Sequence, residues 1–368
     1  MTPDGRATQV PPTTPRGVAP GVAGPATIAA MRLAGWLASA VVVLLLPPIL
    51  AGLSRGYLLY VINLALIYGI VALGLNLLIG FAGQFSLGHA GFLAIGAYTS
   101  AILTQRYHWP FVLAFVAAGA LTALVGLLLG LPALRLSGPY LAVATLGFGV
   151  AVPQLVVWRG ELTGGTQGLR ALPDAAIPIW WDRTTGWYNL VEFRTDWSFF
   201  YLALATTALL TLLTANLVES HTGRAFVAVR DSELAAQSVG VNLLRYKTAV
   251  FALSAGYAGL AGSLYAHLIH GLAPEQFNIL LSIEFLAMVV VGGLGTVRGG
   301  LIGAFFLTAL PEIFARVPIL KENANKNLYI VIFGALLILT VTFLPRGLAS
   351  LPGVLAARRA GDERVRRV

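Results

Sequence analysis

Residues 74–98 read GLNLLIGFAGQFSLGHAGFLAIGAY, an apolar stretch that is broken by glycines and carries polar side chains. A polar group without a partner costs several kcal/mol in hydrocarbon, so a membrane admits such a stretch only against protein or water. The pattern predicts a broken helix that lines a water-filled path. The alternative is that its polar groups only cap helix ends and join helices. The interrupting glycines are Gly80, Gly83, Gly88 and Gly91, and the polar side chains between them are Gln84, Ser86 and His89.

The composition places the rest of the chain in a membrane as well. Of its 368 residues, 57% are hydrophobic and 11% are charged, whereas a soluble protein carries about a quarter charged residues. The net charge of +9 lies in tails and short loops without interleaved aromatics, so nucleic acid is not an expected partner. The absence of cysteine excludes disulfides, thiolate metal sites and cysteine nucleophiles.

Apolar runs that can cross a bilayer recur along the chain. They predict an all-α polytopic bundle of eight to ten transmembrane helices across residues 31–348. A disordered tail is expected at 1–30 and a basic cytoplasmic tail at 349–368. The glycine-broken stretches around 80–100 and 285–305 are either re-entrant or full spans. The runs lie at about 33–51, 57–79, 90–105, 110–131, 139–157, 198–217, 247–270, 280–297, 299–316 and 327–344.

Loop charge predicts the side on which each loop lies, because cytoplasmic loops are rich in Lys and Arg. With ten spans, the N-terminal flank, the segment 218–246 and the C-terminal tail fall on one side, and all three are basic. They are predicted to be cytoplasmic. The segment 158–197 then lies outside, where its balanced charge and tryptophans suit a membrane interface. The basic loop 316–326 is the exception, since it also falls outside.

A second glycine-broken stretch, VGGLGTVRGGLIGA at 291–304, resembles the first in pattern. Many transporters consist of two related halves with broken helices at corresponding positions, so an internal repeat is predicted. Its glycines Gly292, Gly293 and Gly295 are expected to be structural. Glu284 is a further candidate, because a carboxylate inside an apolar run is costly and often functional. The translocation-path candidates are Asn76, Gln84, Ser86, His89, Thr145 and Glu284.

The segment LVESHTGRAFVAVRDSELAAQSVGVNLLRYK at 217–247 is the long polar stretch predicted on the inner side. Residues 225–239 contain neither Pro nor Gly and predict one short helix, which Gly240 ends. Its face mixes apolar and charged side chains. It therefore suits either a surface helix that docks into a partner protein or a connector that lies on lipid.

Sequence motifs of catalysis are absent from the chain. There is no phosphate-binding GxxxxGK[ST], no HExxH and no GxSxG, and the five histidines show no shared ligand spacing. An intramembrane enzyme needs a nucleophile with a base in reach, and no such pair is found in the sequence. The chain is therefore expected to be a transport subunit with no catalytic residue, no metal and no cofactor of its own.

Several long motifs in one order resemble the permease subunits of branched-chain amino-acid ABC importers, over residues 57–348. The extended loop at 158–197 and the form of 222–247 make the chain more similar to the M-type than to the H-type permease. The matching motifs are GLNLLIGFAGQFSLGHAGFLAIGAY at 74–98, LSGPYLAVATLGFG at 136–149, LTGGTQGL at 162–169, TGRAFVAVRDSELAAQSVGVNLLRYK at 222–247, LSAGYAGLAGSLYAHL at 253–268 and SIEFLAMVVVGGLGTVRGGLIGA at 282–304.

The resemblance implies that the loop 218–246 carries a coupling helix with an EAA---G signature, which docks into an ATPase. Ala235, Ala236 and Gly240 keep that spacing, but Leu234 stands where the signature has Glu, and Glu233 lies one position earlier. The downstream proline of the signature is also missing. Docking is therefore implied, while the acidic contact is not. The implied coupling residues are Arg224, Arg230, Glu233, Ala235, Ala236 and Gly240.

The resemblance also implies the other parts of the machine. A second permease subunit completes a heterodimer, two ATPase subunits bind ATP and Mg²⁺, and an extracytoplasmic solute-binding protein delivers the cargo. The chain is expected to lie in lipid as a multi-pass protein of the bacterial plasma (inner) membrane, with both termini cytoplasmic. It imports Leu, Ile and Val by alternating access in this interpretation. The alternatives are urea, short amides or aromatic acids as cargo, or an ATP-independent channel or carrier.

Overall fold

The computed structural model describes residues 56–132, 136, 138–182, 186–315, 334–335, 338, 342 and 347–350. The helices in this part of the chain are α1 (Gly56–Asn76), α2 (His89–Gln105), α3 (Phe111–Gly130), α4 (Pro139–Trp158), α5 (Gly160–Thr163), α6 (Asp196–Glu219), α7 (His221–Asp231), α8 (Glu233–Ser238), α9 (Leu243–Ile269), α10 (Ile279–Gly292) and α11 (Val297–Ala315). The strands are β1 (Leu169–Arg170), β2 (Ala176–Asp182), β3 (Gly186–Glu192) and β4 (Gly271–Leu272).

Helices α1 and α9 form the centre of the bundle. Of their most apolar stretches, 67% and 72% are buried, against 28% in α3 and 22% in α4. Helix α1 packs against α6, α9, α10 and α11, and α9 packs against α2 and α3. A helix surrounded in this way is apolar on all sides, which explains why α1 reads as one continuous hydrophobic run.

Small residues let α2 and α3 approach α9 closely. A Cβ added at Gly96 of α2 would collide with the backbone of Gly259 on α9. A Cβ at Gly259 would in turn lie 2.6 Å from the Cβ of Thr122 on α3. Membrane helices gain little from hydrophobic contact with each other in lipid, so close packing of this kind holds them together.

Six helices among the described residues are long and apolar enough to cross a membrane: α1, α3, α4, α6, α9 and α10. The α10 span reaches this length by including the residues from Pro274 before the helix, and α2, with 17 residues, falls just below it. The predicted all-α polytopic fold is confirmed. The run at 33–51, most of the run at 327–344, the loop 316–326, the tail at 1–30 and most of the tail at 349–368 lie outside the described residues.

Two short antiparallel strand pairs lie in the segments that follow α4 and α9, where sequence patterns predicted only loops. Strand β2 pairs with β3, with Ala176 opposite Glu192, and β1 pairs with β4, with Leu169 opposite Leu272. In the LTGGTQGL motif Gly168 has φ +68°, which turns the chain into β1. The pairing of β1 with β4 joins the segment after α5 to the end of α9.

Candidate functional site

The first glycine-broken stretch begins with a change of helix type. After α1 ends at Asn76, residues Leu77–Phe81 form one π-helical turn. Gly83, at φ +70°, then turns the chain away, and residues 82–88 form a non-helical link to α2. Single π turns inside helices occur frequently at functional sites.

The end of this link that leads into α2 lies inside the helix bundle. Nε2 of His89, the first residue of α2, is 2.7 Å from Oγ of Ser254. Ser254 stands eleven residues after Leu243, the first residue of the 27-residue helix α9, which is about 16 Å along its axis. Non-helical backbone at such a depth occurs only where protein buries it or a water-filled cavity reaches it.

His89 is fully buried, and a serine hydroxyl faces each of its ring nitrogens. Besides the bond to Ser254, its Nδ1 shares a hydrogen bond of 3.2 Å with Oγ of Ser86. Ser86 Oγ also accepts from the amide of Gly88 at 3.4 Å. Because both ring nitrogens contact protein, His89 and Ser86 act in this structure to fix the start of α2 against α9.

Two further hydroxyls hold the link from neighbouring helices. Thr145 of α4 accepts from the amide of Leu87 at 2.9 Å, and Ser282 of α10 accepts from the amide of Ala90 at 3.0 Å. Amides at a helix start have no partner within the helix, so these hydroxyls satisfy groups that would otherwise be buried unpaired. The candidate Thr145 thus binds backbone.

Gln84 is the pathway candidate whose polar atoms remain free. Its side chain is 5% exposed, and within the described part of the chain neither amide atom has a hydrogen-bond partner. A buried polar group left in this way costs about 1–3 kcal/mol, so water, a substrate or another chain is needed to satisfy it. Glu284 lies in the first half of α10 and is partly exposed.

Asn76 joins the first glycine-broken stretch to the second. Helix α10 ends at Gly292 and α11 begins at Val297, which leaves residues 293–296 as a second break. Nδ2 of Asn76 donates to the carbonyl of Thr296 at 2.7 Å, and its Oδ1 accepts from the amide of Gly295 at 2.9 Å. The two stretches, some two hundred residues apart in sequence, therefore lie against each other.

The glycines named in the two stretches lie where backbones approach closely or turn. A Cβ at Gly80 would collide with the Asn76 amide and with the Gly295 backbone, so only glycine fits there. Gly88 and Gly91 face Thr145 and Gly149 of α4, Gly292 faces Gly299 of α11, and Gly83, Gly293 and Gly295 have positive φ.

The single helix predicted over residues 225–239 is wrong, because the structure has two helices there. Ser220 caps α7, and Ser232 interrupts the segment and caps α8. The Ser232 hydroxyl accepts from the amide of Ala235 at 3.3 Å, which begins a new helix without Pro or Gly. Gly240 follows α8 with φ +85°.

The last turn of α7 reaches the first glycine-broken stretch. Arg230 Nη1 donates to the carbonyl of Gly80 at 2.9 Å, and Arg230 Nη2 pairs with Asp231 at 2.9 Å. The aliphatic part of Arg230 lies on Gly83, where an added Cβ would be 2.8 Å from Arg230 Cγ. Arg224 instead donates to the backbone carbonyl of Glu219 within its own segment.

An ion pair ties α8 to α9. Lys247 Nζ lies 2.6 Å from Oε1 of Glu233, and the Lys247 side chain is 5% exposed whereas that of Glu233 is 48% exposed. Of the two signature alanines, Ala236 is buried and Ala235 is exposed. Glu233, one position before the expected signature Glu, thus has a partner inside its own chain.

Polar residues that sequence patterns did not single out join α2 and α9 at their other ends. Ser263 Oγ donates to Ser100 Oγ at 2.7 Å, and Ser100 Oγ is 3.2 Å from Nε2 of His267. Nδ1 of His267 lies 2.8 Å from the carbonyl of Pro173, which anchors the loop after β1. Serines in apolar runs are a weak sequence signal, because only the tertiary structure shows which of them share a depth.

The same end of the molecule carries a hydrogen bond between distant side chains and a cavity. Asp174 lies 2.9 Å from His270, a partner 96 positions away that sequence proximity did not reveal. A cavity of ≈ 450 Å³ opens between α4 and the turn before α10, and its polar lining includes Gln154, Glu275 and Asn278. No group of three or more His, Asp or Glu residues that could hold a metal occurs in the described ranges.

Comparison of the sequence with known proteins identifies its family. A family model described as the permease component of branched-chain amino acid transport systems matches residues 57–341. The chain belongs to this family. The permease is therefore a multi-pass membrane transport subunit and not an enzyme. No solved structure matches it.

Three relatives illustrate the range of the similarity. The high-affinity branched-chain amino acid transport system permease protein LivM of Escherichia coli K12 is 36% identical over 298 residues, covering 78% of this permease and 68% of that protein. A probable branched-chain amino acid transport permease LivM of Methanocaldococcus jannaschii is 24% identical over 325 residues, or 77% and 90% of the two chains. The autoinducer 2 import system permease LsrC of Salmonella typhi is 29% identical over 262 residues, or 61% and 68%.

Proposed function

We propose that this permease is one half of the membrane part of an ATP-driven importer that carries branched-chain amino acids inward by alternating access. Family membership and the 36% identity to a permease named for branched-chain amino acids support this cargo. The proposed location is a bacterial plasma (inner) membrane, with both termini and α7–α8 in the cytoplasm. In that orientation the strand pairs face the outside.

The observation that carries the proposal is the exposed apolar face of α8. Leu234 on this short helix is 80% exposed and Val239, directly after it, is 78% exposed, while Ala236 and Lys247 fix its other face. Exposed apolar side chains on a surface helix suit docking into a groove of another protein. An ATP-independent channel or carrier has no need for such a helix, so this face favours an ATPase as partner.

The proposed complex needs further chains. A second permease pairs with this one, two ATPase subunits bind ATP and Mg²⁺, and a solute-binding protein docks at the outer loops. The chain's own sequence has no phosphate-binding loop, which agrees with hydrolysis on separate subunits. Helices α3 and α4, which are buried over less than a third of their apolar stretches, offer surface for lipid and for the second permease.

Docking is tested by co-purification of the permeases with their candidate ATPases. Leu234→Glu places a charge in the apolar face and is expected to lower the retained ATPase at least about tenfold, as loss of a central interface residue does. The matched control is Leu162→Glu, a leucine that is 40% exposed at the opposite end of the molecule. Equal retention by both variants would contradict docking through α8.

Cargo is tested by ATPase stimulation in the reconstituted complex. The binding protein is supplied loaded with leucine, urea or benzoate, and ATP hydrolysis is compared with the empty binding protein. Stimulation by leucine is expected. Stimulation by urea or benzoate alone would replace the amino-acid assignment by one of the other cargo classes.

A further inference from the structure

Three segments that are distant in sequence meet around the carbonyl of Gly80. The π turn after α1 supplies Gly80, the second break supplies Gly295 and Thr296, and α7 supplies Arg230. The hydrogen bonds between them span 150, 219 and 220 positions. The polar segment 218–246 and both glycine-broken stretches therefore meet at one point.

The Arg230 side chain forms the contact from the α7 side. Its guanidinium donates to the Gly80 carbonyl at 2.9 Å, and Nη1 would lie 3.6 Å from a Cβ at Gly295. Asp231 holds the guanidinium through Nε and Nη2, at 3.0 and 2.9 Å. The planar guanidinium can satisfy several acceptors in fixed directions at once, which a lysine ammonium on a flexible chain cannot do.

Asn76 forms the contact from the membrane side. It is 1% exposed and uses both ends of its amide, as donor to Thr296 and as acceptor from Gly295. A buried amide with both partners in place is costly to pull apart, because separation leaves several polar groups unpaired inside the bundle. The two breaks are thereby held as one unit.

We propose that Arg230 and Asn76 are positioning residues of transport: together they make α7 move as one body with both glycine-broken stretches. The proposal rests on the proposed function, in which an ATPase moves α7 and α8. Motion of α7 then passes through the Gly80 carbonyl to the π turn and through Asn76 to the junction of α10 and α11. The non-helical link at residues 82–88 directly follows the π turn, so the backbone around Gln84 moves with that turn.

The first test compares coupling in the complete complex of permeases, ATPases and binding protein in liposomes. The quantity measured is the ratio of ATP hydrolysis with leucine-loaded binding protein to that with empty binding protein. Arg230→Ala is expected to assemble with the ATPases but to lower this ratio about tenfold, within the range of coupling between distant sites. Arg230→Lys, which keeps the charge, is expected to restore it only in part.

Arg245→Ala serves as the matched control, since Arg245 is exposed on the first turn of α9 near the same segment. It is expected to keep the ratio of the parent. A parent-like ratio for Arg230→Ala overturns the proposal, and so does loss of ATPase assembly, which would assign Arg230 to docking. A parent complex that no loaded binding protein stimulates instead contradicts the proposed function.

A second measurement tests the junction without transport activity. The chain has no cysteine, so spin labels can be attached at His221→Cys on α7 and Phe85→Cys in the first link, both exposed positions. In the parent, the distance between the labels is expected to stay narrow and equal with and without ATP. Asn76→Ala or Arg230→Ala is expected to broaden or shift it. A distribution that neither variant changes overturns the proposal.

Discussion

Gly80 carries no side chain, and the structure leaves room for none. The space that a Cβ would fill is occupied by the amide of Asn76 and the backbone of Gly295. Its carbonyl accepts from Arg230, so the residue serves as a contact surface on one side and as an acceptor on the other. The sequence marks Gly80 as one interruption among several, whereas the contacts make it the meeting point of three segments.

Gly80→Ala is expected to lower the free energy of unfolding by about 1–3 kcal/mol, because the added methyl group overpacks the contact with Asn76 and Gly295. The measurement is thermal unfolding of the purified permease in detergent. Gly147→Ala is the matched control, since a Cβ at Gly147 in α4 meets nothing within 4 Å. Equal melting temperatures for the two variants would show that the Gly80 contact has no such constraint.

Helices α7 and α8 illustrate how a single polar residue divides an element. The segment 225–239 lacks Pro and Gly, so helix propensity alone predicts continuity. Ser232 competes by offering its hydroxyl to the amide of Ala235, and the chain restarts as a separate helix. The division lets α7 contact the π turn through Arg230 while α8 lies on α9 through Glu233.

The ion pair between Glu233 and Lys247 predicts unequal effects of removing either partner. Glu233→Ala is expected to cost about 1–3 kcal/mol of stability, since it leaves the buried Lys247 ammonium without its partner. Lys247→Met is expected to cost about 1 kcal/mol or less, because the half-exposed Glu233 carboxylate is hydrated. Unfolding free energy and hydrogen exchange of residues 232–240 are the measurements.

The double variant with both substitutions serves as the control for this pair. Its stability is expected to match that of Lys247→Met alone, because no buried charge then remains. A larger loss for Lys247→Met than for Glu233→Ala would show that Lys247 has a role outside the pair. Glu219→Ala, at an exposed carboxylate on α6, is expected to leave stability unchanged.

At the scale of the whole molecule, two ends of the helix bundle carry different structures. One end holds α7, α8 and the two breaks, and the other holds the strand pairs and the outer cavity. Loop charge predicts the first end to be cytoplasmic, since the basic segment 218–246 lies there. The orientation is therefore open to a direct experiment.

Single cysteines report the orientation cleanly, because the natural chain contains none. Glu161→Cys, exposed after α4, is expected to react with a membrane-impermeant maleimide in intact cells. Gln237→Cys, exposed on α8, is expected to react only after permeabilisation. The cysteine-free parent is the control for background labelling, and the reverse pattern would invert the predicted topology.

Much of the fold could be predicted from residue patterns. Apolar runs of sufficient length marked α1, α2, α3, α4, α6, α9, α10 and α11, because lipid requires the same continuous hydrophobicity wherever a helix crosses it. Candidate polar residues were also found, since Asn76 and His89 stand out in apolar runs. Their partners Ser254 and Thr296 did not stand out, because hydroxyls and backbone groups of this kind occur in many helices without a role.

Residue patterns alone predicted a polytopic membrane protein whose helices break at two glycine-rich places and which carries one long polar segment. Length, hydropathy and glycine content are local properties, and each can be read without knowledge of any neighbour. The packing of the helices alone shows that Asn76 joins the two breaks and that Arg230 joins α7 to the first of them. These are contacts between groups more than a hundred positions apart, whose geometry depends on how all the helices pack together.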